Sequence, residues 1–134
     1  MLARLPGGVS ALEGSLLQIP AADGQFDGSL AVESLEHALL PKQAVAELCR
    51  IVRPGGRVLI IDKHRKRQPL SQHDPWEQWF SPGQLAAWLG RWCDEVIVEP
   101  VSHDEDLGGT DLFLAASGRR RPSHAPSPYA ALRQ

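Results

Sequence analysis

A chain of 134 residues, 43% hydrophobic and 22% charged, is long enough to bury one core and is ordinary in composition for a globular domain. A net charge of −2 removes the electrostatic ground for a nucleic-acid partner, and the longest apolar runs, such as Val58-Leu59-Ile60-Ile61, are strand-sized and too short to span a bilayer. No apolar stretch of signal-peptide length follows Met1, so the expectation is a cytoplasmic protein with two reduced packing cysteines, Cys49 and Cys93.

Taken in chain order, Val9 to Glu13 is a short strand candidate. Phe26 to Val32 reads as a second strand, set off by the turn signal Ala22-Asp23-Gly24. Pro41 to Val52 predicts a helix, because Val45, Leu48, Cys49 and Val52 recur at helical spacing on one face. Arg53-Pro54-Gly55-Gly56 should stop it, since proline cannot continue a helix and glycine permits the reversal. Arg57 to Asp62 is nearly continuous apolar sequence, the pattern of a strand covered on both faces.

A second helix starts more sharply. Ser81 can cap it, Pro82 takes the first position, and Gln84 completes a capping box. Leu85, Trp88, Leu89 and Trp92 form its apolar stripe, and Cys93 ends it. Glu95 to Val98 and Leu112 to Ala116 read as strands joined by a polar loop. The alternation predicts an α/β layered sheet with an antiparallel edge. From Gly118 to Gln134 the chain is rich in Arg, Pro and Ser, so residues 118–134 are expected to be a disordered tail on a domain of residues 1–117.

Several short segments, in order, carry a resemblance. They are Glu13-Gly14-Ser15-Leu16-Leu17-Gln18-Ile19-Pro20, Gln25-Phe26-Asp27, Glu33-Ser34-Leu35-Glu36-His37 and Arg50-Ile51-Val52-Arg53-Pro54-Gly55-Gly56-Arg57. Together they resemble the middle of class I S-adenosylmethionine-dependent methyltransferases of the type 11 kind. The resemblance implies a partial Rossmann-like methyltransferase sheet, mostly parallel, with a C-terminal antiparallel strand pair. The family's glycine-rich cofactor loop has no counterpart here, which implies a chain beginning inside the helix before the third family strand.

The same resemblance implies S-adenosylmethionine as cofactor and a small-molecule methyl acceptor. Ser15 and Leu16 would lie beside the adenine, where the family has Asp at the Ser15 position; alternatively Ser15 is only a loop residue. Ala31, Val32 and Glu33, at the end of a strand, would face the cofactor crevice, since ligands of open α/β sheets bind beyond strand C-termini. Leu35 and His37 would follow nearest the reactive methyl, with His37 either a general base or a structural tie for its loop. Glu33 or Glu36 either binds an acceptor or faces water.

Asp62 and His64 end the next strand on the same sheet edge and are candidate acceptor contacts. The basic run His64-Arg65-Lys66-Arg67 either holds an anionic substrate or is solvated. Trp76, Trp79 and Phe80 either line an apolar acceptor pocket or cover the sheet. His73-Asp74 and His103-Asp104-Glu105-Asp106 show no ligand spacing, so no metal is expected. Three readings compete: a methyltransferase or its acceptor-side fragment, a non-catalytic methyltransferase-like module, and an ordinary α/β binding domain whose motifs are structural only. The second would use an exposed sheet edge to bind a complementing chain or a second copy.

Overall fold

A computed structural model describes residues 6–65, 78–101 and 112–122. Strand β1 spans Phe26–Val32 and is followed by a 3-10 turn, Leu35–His37. Helix α1 spans Pro41–Arg50, strand β2 Val52–Lys63, helix α2 Pro82–Gly90, strand β3 Cys93–Val101 and strand β4 Phe113–Arg120. The sheet order is β1-β2-β4-β3. β1 and β2 run parallel, while β2–β4 and β3–β4 are antiparallel. One described pairing of three is therefore parallel, and the antiparallel share is larger than the sequence suggested.

β1 matches its predicted bounds, and α2 has the predicted start. Ser81 Oγ accepts from Gln84 N, and the Gln84 side chain accepts from Ser81 N. Val9 to Glu13 forms no strand. α1 stops at Arg50, and Val52 opens β2 instead of closing the helix. The Arg53–Gly56 segment belongs to β2 as a local irregularity, because the partners step from Phe26↔Val52 to Gly28↔Arg57. Gly55 takes φ +83°, and a Cβ on Gly56 would sit 2.4 Å from the Asp27 carbonyl oxygen. The two glycines thus let the strand kink against β1, a bulge that a Pro-Gly-Gly turn signal does not distinguish from a stop.

Cys93 begins β3 and does not end a helix. β4 continues through Gly118, Arg119 and Arg120, where a disordered tail was expected. These residues are ordered because β4 is an inner strand. Arg119 pairs with Arg57 on one side and Asp94 on the other, and its Nε lies 3.4 Å from Glu95 Oε2. Arg120 lies over the Trp92 ring at 4.6 Å, which covers its charge with an aromatic face.

Both helices cover one sheet face. That face sets Ala31, Val58, Ile60, Leu114 and Ala116 against Val45, Leu48, Leu85 and Leu89 in one buried cluster. On the opposite face Leu30 and Ile97 are exposed, and Leu59 and Ile61 are half-buried. β2 is therefore covered on one face only among the described residues, although its sequence reads as doubly covered. No described helix is long and apolar enough to cross a membrane.

Candidate functional site

The parallel strands β1 and β2 end side by side, at Val32 and Lys63. Glu33 N donates to the Ile61 carbonyl, and Glu33 then turns the chain with φ +50°, a left-handed conformation uncommon for a residue with a side chain. The chain folds into the Leu35–His37 turn directly above the end of β2.

Asp62 holds that turn. Its carboxylate is fully buried; Oδ2 accepts from Leu35 N at 3.1 Å and Glu36 N at 3.3 Å, and Oδ1 accepts from Lys63 N at 2.9 Å. Burial, helped by the neighbouring Glu36 carboxyl and opposed by the backbone donors, pushes its pKa up to about 7. Asp62 was a candidate acceptor contact. Its burial rules that out, and its three donors make it a clamp between β2 and the turn.

Glu36 was expected to bind an acceptor or face water, and it does neither by exposure: it is 3% exposed. Its Oε1 lies 3.1 Å from His37 Nε2 and its Oε2 lies 3.4 Å from Lys63 Nζ. His37 itself projects outward, with its side chain 62% exposed. The imidazole therefore stands at the open edge with one ring nitrogen against a buried carboxylate. This arrangement fixes its orientation and leaves the rest of the ring accessible. Lys63 Nζ also lies 5.3 Å from the centre of the half-buried Trp79 ring.

The segment before α2 closes this end. Gln78 N donates to the Glu36 carbonyl, and the Gln78 side chain donates to the Ala38 carbonyl. Phe80 N donates to Lys63 O, and Arg65 N donates to Phe80 O, so His64 and Phe80 pair in parallel. Phe80 is buried and meets Trp88 edge to face, with centroids 5.9 Å apart, so it packs in the core. His64 is half-buried beside it. Trp76, the remainder of the basic run, His73-Asp74 and His103 to Asp106 lie outside the described residues. Among the described residues no three His, Cys, Asp or Glu side chains gather as a metal group.

The remaining candidates divide by exposure. Val32 and Glu33 are exposed at the edge, whereas Ala31 and Leu35 point into the core, which corrects their expected contact with a cofactor through side chains. Ser15 Oγ accepts from Leu17 N at 3.1 Å within its own turn, and Leu16 packs half-buried against the core. The polar face of α1 anchors this loop. Gln43 donates to Leu17 O, Glu47 accepts from Ile19 N, and Arg50 donates to the Ile19 and Ala21 carbonyls and to Asp23. Sequence reasoning passed over these three residues. Their spacing of four and three places them on one helix face, the signal that could have found them.

Residues 2–60 match the methyltransferase domain family. The chain is 38% identical over 87 residues to a probable chloroplastic tocopherol O-methyltransferase of Oryza sativa subsp. japonica, covering 64% of this chain and 22% of that protein. It is 30% identical over 105 residues to the ubiquinone/menaquinone biosynthesis C-methyltransferase UbiE of Bordetella avium, covering 78% of this chain and 35% of that protein. The chain thus spans about a third or less of the curated relatives' length. Its fold is that of a SAM-dependent methyltransferase of Thermotoga maritima, a possible histamine N-methyltransferase. The TM-score is 0.68 at 22% identity, covering 85% of this chain and 65% of the other.

Proposed function

We propose that this chain, which belongs to the S-adenosylmethionine-dependent methyltransferase family, forms the acceptor side of a small-molecule methyltransferase active site. The observation that carries this reading is the Asp62-clamped turn, which holds an exposed His37 where β1 and β2 end. Ligands of open α/β sheets bind at such strand ends, and the family adds an acceptor to that position.

The residues present fit one side of the cofactor. Exposed Val32 and half-buried Leu16 offer apolar surface, and the Ser15 hydroxyl offers a neutral hydrogen-bonding group. When bound, the cofactor supplies an electrophilic methyl group on sulfur. The chain's own part is to orient the acceptor and remove its proton. His37 takes that proton on its accessible ring nitrogen, and the buried Glu36 carboxylate against its other nitrogen holds the ring in place. Trp79 and His64 border the same end and contact the acceptor in this reading.

Transfer of labelled methyl from S-adenosylmethionine to simple phenols and quinols tests the proposal. The expected result is turnover that falls at least about a hundredfold in His37→Ala, in line with the contribution of a general base. Equal turnover in the variant would overturn the role of His37. Calorimetry on the purified chain should show weak cofactor binding, because its residues fit only one side of the cofactor; micromolar affinity would show that these residues suffice.

A second reading is favoured by one observation. Leu30 and Val32 are exposed on the sheet face away from the helices, on an edge strand. A non-catalytic module would bury them against a complementing chain or a second copy. Sedimentation showing a stable dimer, together with no methyl transfer, would favour it. A cytoplasmic location suits both readings, since both cysteines are free.

A further inference from the structure

The end of the sheet opposite the candidate site brings together two residues that are 44 positions apart in sequence. Cys49 lies in the last turn of α1 and Cys93 opens β3, and their sulfur atoms are 3.9 Å apart. Both are buried and free. Gly118 on β4 makes the space: a Cβ there would meet Cys93 Cβ at 2.6 Å and its sulfur at 3.1 Å. Three elements therefore converge on one sulfur–sulfur contact.

The surroundings are cationic on one side. Arg120 Nε donates to the Cys49 carbonyl, and an Arg121 guanidinium nitrogen donates to the Cys93 carbonyl. The contact with Cys49 and the two arginines hold the Cys93 thiol below its ordinary value. The contact with Cys93 and burial push Cys49 up. Cys93, beside the arginines, is therefore the better nucleophile of the pair.

We propose that Cys49 and Cys93 are a dithiol couple that a hydroperoxide converts to an intramolecular disulfide joining α1 to β3. The Cys93 thiolate attacks one peroxide oxygen, forming a sulfenic acid and releasing hydroxide, which takes up a proton to become water. The Cys49 sulfur then attacks the sulfenic sulfur, the S–S bond forms, its proton leaves, and a second water departs. Two thiols lose two electrons and two protons, and one peroxide becomes two waters. The sulfurs must close from 3.9 Å to a bond of about 2.05 Å, which side-chain rotation and a small shift of the strand end supply. Peroxide enters as β3 frays at its first residue, because strand ends open at lower free energy than strand centres. The couple lies away from His37, so it stands whether or not the chain transfers methyl groups.

The test treats the purified full chain with hydrogen peroxide, then unfolds and alkylates it for intact and peptide mass analysis. The expected product has lost two hydrogens, takes up no alkylating reagent, and yields a Cys49–Cys93 linked peptide that dithiothreitol separates. Cys49→Ser should stop at a sulfenic acid on Cys93, trapped by dimedone, and Cys93→Ser should react at least about tenfold more slowly. If both wild-type thiols remain fully alkylatable, or form only links between chains, the proposal is wrong. The linked peptide of the wild-type chain decides the matter even if a serine variant fails to fold.

Discussion

The two ends of the sheet bury different chemistry. At the C-terminal ends of β1 and β2 lie two carboxyl groups, Asp62 and Glu36; at the opposite end lie two thiols flanked by Arg120 and Arg121. The two ends differ in what holds them. Asp62 accepts from three backbone N–H groups and so shapes a turn that presents His37 outward. Around the cysteines the arginines donate to carbonyls and tie α1 and the start of β3 to the strand end of β4. The first end aims a side chain at solvent, and the second closes the domain on itself. The difference is one of access: the first end leaves a side chain open to solvent, and the second keeps its reactive groups buried.

The largest break in this comparison comes from Asp62→Ala, which strands three buried donors at once. Chemical denaturation should show a loss of about 3–5 kcal/mol, because each unsatisfied buried group costs about 1–3 kcal/mol and the site relaxes in part. A loss under about 1 kcal/mol would mean that the clamp does not hold the turn.

A pH series comes next. The folded chain keeps the Asp62 proton up to about pH 7, while the unfolded chain releases it near the ordinary value of 3.8. Between these values the folded state binds the extra proton. Stability should therefore fall as pH rises from about 4 to about 7, by at most about 1.4 kcal/mol per unit, and level off above. Denaturant titrations at steps across this window should show the slope in the wild type and a flat line in Asp62→Asn. Equal slopes in both would assign the effect elsewhere.

At the other end, Gly118→Ala pushes a methyl group against Cys93 and should cost about 1–3 kcal/mol, measured by the shift of the denaturation midpoint. No change would show that β3 moves freely away from β4. The smallest effect on stability belongs to His37→Ala. The His37 side chain is mostly exposed and makes one polar contact, with Glu36, worth about 0.5–1.5 kcal/mol, so unfolding should change little while methyl transfer collapses. A large loss of stability would turn His37 back into a structural tie.

Much of this was legible in the residues themselves. The bounds of β1 follow from its turn signal and β-forming residues, and the capping box at Ser81 and Gln84 is a local motif that needs no tertiary help. The segments from Glu13 to Arg57 named the family before any geometry was known. The site was half legible. His37 and the strand-end edge came from pattern, but the roles of Asp62 and Glu36 did not, because a carboxylate at a strand end reads as exposed unless its backbone partners are known. Gln43, Glu47 and Arg50 read as a solvated helix face for the same reason.

The amino-acid sequence by itself carried the family resemblance and determined the helix start at Ser81 and β1, since each is written in short stretches of neighbouring residues. Only the tertiary structure decided that Arg53–Gly56 is a bulge, that Arg119 and Arg120 belong to an inner strand, that Asp62 is a clamp, and that Cys49 meets Cys93. Each of those depends on a partner 25 or more positions away, which composition and periodicity do not encode.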